Sequence, residues 1–196
     1  MLTKTIIENI LIISSEGFWI LSNWSQLRKL IKTSNRRGLN AVNQTLNAAG
    51  NIAWITYFAH QRLFVPVATN ATMFLLTAAT LAYTLGNRKQ FNRGILAIAI
   101  LGPLTNYIIV AHASISGWIG VIYNEVAVLP WVANIILTHK TSGLSERGLF
   151  FAIGAMTCTF TYGLLISSVQ LIAGTLAGML NTLIVMTYYY RYRRTN

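Results

Sequence analysis

Seven times along this chain an apolar run of about twenty residues is closed off by polar or charged residues, over 6–27, 39–59, 65–85, 95–112, 118–137, 149–169 and 171–189. A helix rising about 1.5 Å per residue needs about 20 residues to cross about 30 Å of hydrocarbon. Seven spans and their short loops therefore fill the 196 residues, leaving no length for a separate soluble domain. A membrane barrel would instead alternate polar and apolar residues over segments of about ten, and these runs do not alternate. The composition agrees: 54% of the residues are apolar and only 10% are charged, where a soluble domain carries about 25%. The expected fold class is an all-α membrane protein of seven transmembrane helices.

Charge placement tests that count independently. Aspartate is absent, and the acids are Glu8, Glu16, Glu125 and Glu146. The 15 Lys and Arg sit in clusters between the runs. A nucleic-acid binder would spread them over one wettable face, so no nucleic-acid partner is expected. With the N-terminus outside, the inner segments hold Arg28, Lys29, Lys32, Arg36 and Arg37, then Arg88, Lys89 and Arg93, then Lys140 and Arg147, then Arg191, Arg193 and Arg194. Only Lys4 and Arg62 remain outside. The positive-inside rule thus predicts an N-out, C-in protein. The first run has no small-residue cleavage site and reads as a retained helix. Cys158 is the only cysteine, which rules out an intrachain disulfide and a cysteine metal site.

Sliding the chain by 105 residues superposes Thr33 on Thr138, Gly38 on Gly143, Leu39 on Leu144, Asn40 on Ser145, Thr56 on Thr161 and Tyr57 on Tyr162. Matches at one offset across two helices and their loop indicate an internal repeat. The predicted organisation is a three-helix repeat in 1–86, a linker helix in 87–113 and a second three-helix repeat in 114–196. Both repeats begin on the same side, so they are parallel, and a solute site belongs near mid-bilayer between them.

The repeated residues carry a resemblance. Ser25-Gln26 is followed at thirteen residues by Gly38-Leu39-Asn40, and Pro130-Trp131 at the same spacing by Gly143-Leu144-Ser145. Both resemble the PQ-loop signature, each keeping one member of the Pro-Gln pair. Trp54-x-x-Tyr57 and Thr159-x-x-Tyr162-Gly163 resemble the Trp-x-x-Tyr-Gly of the same superfamily. In its three-plus-one-plus-three plan the chain resembles a SWEET-type transporter or a close PQ-loop relative. The resemblance implies a facilitator in the cell membrane that moves a small neutral solute, a sugar foremost, by alternating access. It implies solute contacts at Trp54 and Asn70, with Thr159 and Thr175 as second-half equivalents, and at Phe18, Leu21, Tyr123 and Val126 on the first and fifth helices. An aromatic face suits the apolar face of a sugar, while an amide donates and accepts. The two threonines stand where the family carries a second Trp and a second Asn, so the pocket is expected to be asymmetric.

Other residues read directly. Pro130 lies inside the fifth run, removes a backbone donor and bends that helix; the hinge positions are Pro130 and, in the first half, Gln26, where Ser25 supplies no proline ring. Pro66 and Pro103 sit near run starts, where proline is cheap. Glu16 and Glu125 fall mid-helix, where a carboxylate is costly unless protonated or partnered. At 100° per residue both are expected to point away from the pocket face. Proton coupling and a protonated packing contact are both open to them. His60, His112 and His139 sit at helix ends far apart in the topology, so neither a metal nor another cofactor is expected. Gly174 and Gly178 form a close-packing pair that seats the seventh helix against a neighbour or against a second copy in a homo-oligomer.

Three function classes compete. A receptor on this architecture would want a charged cavity for a peptide terminus, and the hydrocarbon region offers no basic residue. An intramembrane enzyme would need catalytic groups converging at one depth, and none is visible. Among carriers, those for vitamins of the nicotinamide riboside type and for amino acids are the rivals to a sugar facilitator.

Overall fold

The computed structural model describes residues 2–86, 92, 94–96, 98–100, 107 and 116–193. Among these, six helices carry the fold: α1 (Leu2–Thr33), α2 (Ala41–His60), α3 (Phe64–Leu85), α4 (Ser116–Thr138), α5 (Glu146–Leu165) and α6 (Val169–Tyr192). None of the described residues is in a strand. The span expected over 95–112 lies mostly outside the described residues, as do Pro103, His112, Arg88, Lys89, Arg93 and Arg194. Residues 94–96 and 98–100 are helical, and Ile98 is buried with Ala48 and Leu81.

Short polar side chains set the helix starts. The Asn43 amide donates to Asn40 Oδ1 at 3.1 Å, Gly148 N to Ser145 Oγ at 3.1 Å, and Leu171 N to Ser168 Oγ at 3.4 Å. Each such cap satisfies one orphan donor and is worth about 1 kcal/mol. Asn40 and Ser145 end the two Gly-Leu-x motifs, so those motifs are helix starts. The third cap moves a boundary. Hydropathy carried the sixth run to Val169, whereas the chain leaves α5 at Leu165 and turns through Ser167 at φ 56°. Ser168 then caps α6, and Val169 opens it. Apolarity cannot see a turn that apolar residues flank.

The helices form a closed ring in which each packs against two others: α1 on α3, α3 on α2, α2 on α4, α4 on α6, α6 on α5 and α5 on α1. The third helix of each group of three sits between the other two. The groups meet along two seams, α1 against α5 and α2 against α4. Residues 105 apart occupy matching places on these seams. Ser22 Oγ donates to Gly148 O at 2.8 Å on one seam, and Asn43 Nδ2 donates to Ala127 O at 2.8 Å on the other.

The exterior is apolar, and polar residues share the interior with apolar ones such as Leu30, Leu81 and Ile135. Ile6, Ile10, Leu75, Ile122, Leu129 and Leu180 face outward, while Ser15, Asn43, Asn51, Thr69, Asn70 and Thr182 are buried. An apolar exterior of this extent calls for a lipid surround, and polar groups then collect in the bundle interior. Five of the described helices are long and apolar enough to cross a membrane. α2 has the length, but Asn43, Gln44, Asn47 and Asn51 lower its apolarity.

The first helices of the two groups end at the same end of the bundle, where the α1–α2 and α4–α5 loops meet. Gly143 N donates to Arg37 O at 2.9 Å, and Asn35 Nδ2 to Ser142 Oγ at 3.1 Å. Gly38 and Gly143 make this contact possible. A Cβ on Gly38 would strike the carbonyl oxygen of Lys140, and one on Gly143 the carbonyl oxygen of Arg37. Lys29, Arg36, Arg37, Lys140 and Arg193 gather at this basic end through contacts with Leu144 O, Gly86, Gly143, Gly38 and Glu146.

Candidate functional site

Between the two groups lies a cavity of about 320 Å³, lined by residues from all six helices. Its wall follows the helical repeat. α1 contributes Glu16, Trp19, Asn23 and Gln26, α2 contributes Asn43, Asn47, Asn51 and Trp54, and α4 contributes Asn124, Glu125, Val128 and Trp131. Steps of three and four residues keep the first two sets on one helix face, and on α4 Glu125, Val128 and Trp131 follow the same rule with Asn124 beside them. In a lipid-surrounded bundle that polar face turns inward.

Trp54, Asn70, Thr159 and Thr175 all reach the cavity wall. The Trp54 ring stacks on Phe58 at 5.3 Å and meets Tyr57 edge-on at 5.6 Å. It lies over Gly120 of α4, where a Cβ would stand 2.6 Å from its Cζ2. The other three spend their polar atoms largely on the fold. Asn70 Nδ2 donates to Pro66 O at 2.8 Å, and Thr175 Oγ1 donates to Leu171 O. The Thr159 hydroxyl donates to Ala155 O at 3.0 Å and shares a 2.6 Å bond with Ser15 Oγ.

Phe18, Leu21, Tyr123 and Val126 do not line the cavity. Leu21 and Val126 are 42% and 48% exposed on the outer surface. Phe18 stacks on Phe151 at 6.1 Å and packs over Gly154 in the α1–α5 seam. Tyr123 Cβ packs near Gly50 in the α2–α4 seam. Glu16 and Glu125, expected to point away, lie on the wall. Counting back from the Pro-Gln-like pair placed the wrong face inward. The polar stripe 16-19-23-26 outweighs it, because a carboxyl or amide facing lipid costs far more than an exposed Leu or Phe.

Both carboxyls are held inside their own group. Glu16 hydrogen-bonds to the Thr69 hydroxyl across α1 and α3, and Asn181 Nδ2 donates to Glu125 Oε2 at 2.9 Å across α6 and α4. No Lys or Arg lines the cavity among the described residues.

At its basic end the cavity is floored by Gln26, Trp131, Leu144 and Ser145. Gln26 Nε2 donates to Gly143 O at 3.0 Å, and its Oε1 accepts from Ser145 N at 2.8 Å. The residue 105 further on makes the reciprocal contact: Trp131 Nε1 donates to Gly38 O at 3.0 Å. Pro130 carries no cavity surface, but its carbonyl accepts from Asn40 Nδ2 at 3.2 Å. The second member of each Pro-Gln-like pair is thus a tie between the two groups.

Sequence reasoning missed Trp19, Asn23, Asn43, Asn47, Asn51, Asn124 and Trp131. For α2 the signal was present, since amides at 43, 47 and 51 recur every four residues in an otherwise apolar helix.

No protein-family model and no curated protein matches the sequence. The fold does match a solved structure, that of a eukaryotic SWEET transporter. The TM-score is 0.71 at 11% sequence identity, over 98% of this chain and 99% of that one. The chain therefore has the fold of a membrane transporter, and its apolar helices make it an integral membrane protein.

Proposed function

We propose that this chain is a facilitator that carries a small neutral solute, a sugar foremost, by alternating access between two three-helix repeats. The observation that carries the reading is the cavity between the groups, walled by tryptophans and amides and tied shut at one end by bonds between the groups. Its volume of about 320 Å³ falls at the small end of ligand sites, which span about 300–1,000 Å³. The absence of a cationic side chain from the described wall argues against an anionic solute and against a receptor for a peptide carboxylate.

The repeats are 1–86 and 114–196, with 87–113 as the linker helix, so the plan is three plus one plus three. The basic end is cytoplasmic by the positive-inside rule, giving an N-out, C-in protein of the cell membrane. Trp54, Asn70, Thr159 and Thr175 contact the solute near mid-depth. Pro130 supplies the bend about which the second repeat opens, and Gln26 releases when it does. Glu16 and Glu125 are the groups through which proton coupling would act.

A carrier for a vitamin of the nicotinamide riboside type is the second reading. It is supported by Trp19, Trp54 and Trp131 sharing one cavity with asparagines. Uptake of D-glucose, sucrose, glutamine and nicotinamide riboside into proteoliposomes tests both. Saturable uptake of a sugar, lost on Trp54→Ala, is the expected result. Uptake of the vitamin alone overturns the sugar reading, and uptake of none overturns the transporter.

A further inference from the structure

The two seams that close the cavity are equivalent in fold but opposite in chemistry. On the α2–α4 seam the wall carries Asn47, Asn51 and Asn124. Subtracting or adding 105 gives their counterparts on the α5–α1 seam, Ala152, Met156 and Trp19, which also line the cavity. One side offers three carboxamides, the other a methyl, a thioether and an indole.

What each cavity amide does with its hydrogen-bonding atoms separates structure from recognition. Asn43 donates to Ala127 O across the seam, Asn70 to Pro66 O, and Asn23 to Trp19 O at 3.1 Å. Among the described residues, Asn47, Asn51 and Asn124 make no side-chain hydrogen bond. Asn51 is only 7% exposed, yet its amide borders the cavity. Asn124 lies against the backbone of α2 next to it, since a Cβ on Gly50 would stand 3.5 Å from Asn124 Oδ1. Asn47 is one turn along the same face of α2. Of the three, Asn51 is buried, Asn47 half-buried and Asn124 exposed. A buried amide without a partner costs free energy, so Asn51, with two further unbonded amides beside it on the cavity wall, suits a ligand that completes their bonds.

We propose that Asn47, Asn51 and Asn124 form the polar subsite that recognises the solute, with Trp19 and Met156 packing on its opposite face. The proposal deepens the transporter reading and rests on it. The solute carries no anionic group and is two-faced, with hydroxyl or amide groups along one edge and an apolar or aromatic face for the indole. A pyranose and a riboside of an aromatic carboxamide share that chemistry. Asn51 lies three residues and Asn47 seven residues before Trp54 on α2, so the subsite extends the cavity wall from Trp54 toward the basic end.

The test uses purified full-length protein in nanodiscs, with D-glucose, methyl β-D-glucoside and nicotinamide riboside titrated by calorimetry. Whichever solute binds, Asn51→Leu and Asn124→Leu should each weaken it by up to about tenfold, the loss of one hydrogen bond to the solute. Neither substitution breaks a bond within the protein, so the melting temperature should hold or rise. Asn43→Leu is the contrast and should lower it, because it frees Ala127 O. Trp19→Ala should weaken methyl β-D-glucoside or nicotinamide riboside more than D-glucose. Unchanged affinity in Asn51→Leu and Asn124→Leu, or a melting temperature that falls as far as in Asn43→Leu, overturns the subsite while leaving the transporter standing. If the unsubstituted protein binds none of the three, the transporter reading fails and the subsite with it.

Discussion

Replacing Gln26 by leucine removes a two-bond tie between the two halves of the bundle and little else. The amide donates to Gly143 O at 3.0 Å and accepts from Ser145 N at 2.8 Å, so both backbone groups lose a partner. Each such bond is worth a net of about 0.5–1.5 kcal/mol, and bonds between membrane helices average about 0.6 kcal/mol. The pair is then worth about 1–3 kcal/mol to the closed arrangement. About 2 kcal/mol is a shift of roughly 30-fold between closed and open states. The remaining ties, among them Trp131 to Gly38, Gly143 to Arg37, Asn35 to Ser142, Lys29 to Leu144 and Asn40 to Pro130, keep the bundle folded. Spin labels on Lys32→Cys and Lys140→Cys, in a Cys158→Ser background, report the separation of the two loops by pulsed electron paramagnetic resonance. The unsubstituted protein should give chiefly the short distance, and Gln26→Leu should add a longer component of comparable weight. Identical distance distributions would refute the idea that Gln26 holds this end shut.

Three further outcomes are expected. Gly120→Ala places a methyl 2.6 Å from the Trp54 ring and should cost about 1–3 kcal/mol through overpacking, read as a lower melting temperature together with reduced uptake. Ser15→Ala removes the bonds to Ala155 O and Thr159 and should cost about 1 kcal/mol. Combined with Thr159→Val, the loss should fall short of the sum, because the two hydroxyls share one bond. Glu125→Gln keeps an oxygen to accept from Asn181, so stability should change by no more than about 0.5 kcal/mol. Uptake measured between pH 5 and pH 8 should keep its profile, and a flattened profile would identify Glu125 as the group that couples transport to protons.

How much of this was legible beforehand depends on the range of the interaction involved. The places of the six described helices follow from hydropathy, because hydrocarbon demands about 20 apolar residues wherever the chain crosses it, although α1 runs on at both ends to Leu2 and Thr33. The 105-residue repeat is likewise visible, since Gly38-Leu39-Asn40 and Gly143-Leu144-Ser145 keep the same local task of turning and capping. Trp54 and Asn70 are placed on the cavity by the family resemblance, and Thr159 and Thr175 by the 105-residue offset, and all four reach its wall.

The sequence by itself thus determined a lipid-embedded helical bundle, and the family resemblance pointed to four residues that line its cavity. Only the tertiary structure decided which face of α1 and α4 turns inward. Glu16 and Glu125 lie on the wall, and Leu21 and Val126 face outward, because partners for the carboxyls come from other helices, at Thr69 and Asn181. It also decided what Gln26 and Trp131 do, since each bonds a backbone carbonyl more than 90 residues away. And it separated asparagines that look alike in the sequence. Asn43 is spent on Ala127, while Asn47 and Asn51, on the same helix face, are left for whatever enters the cavity.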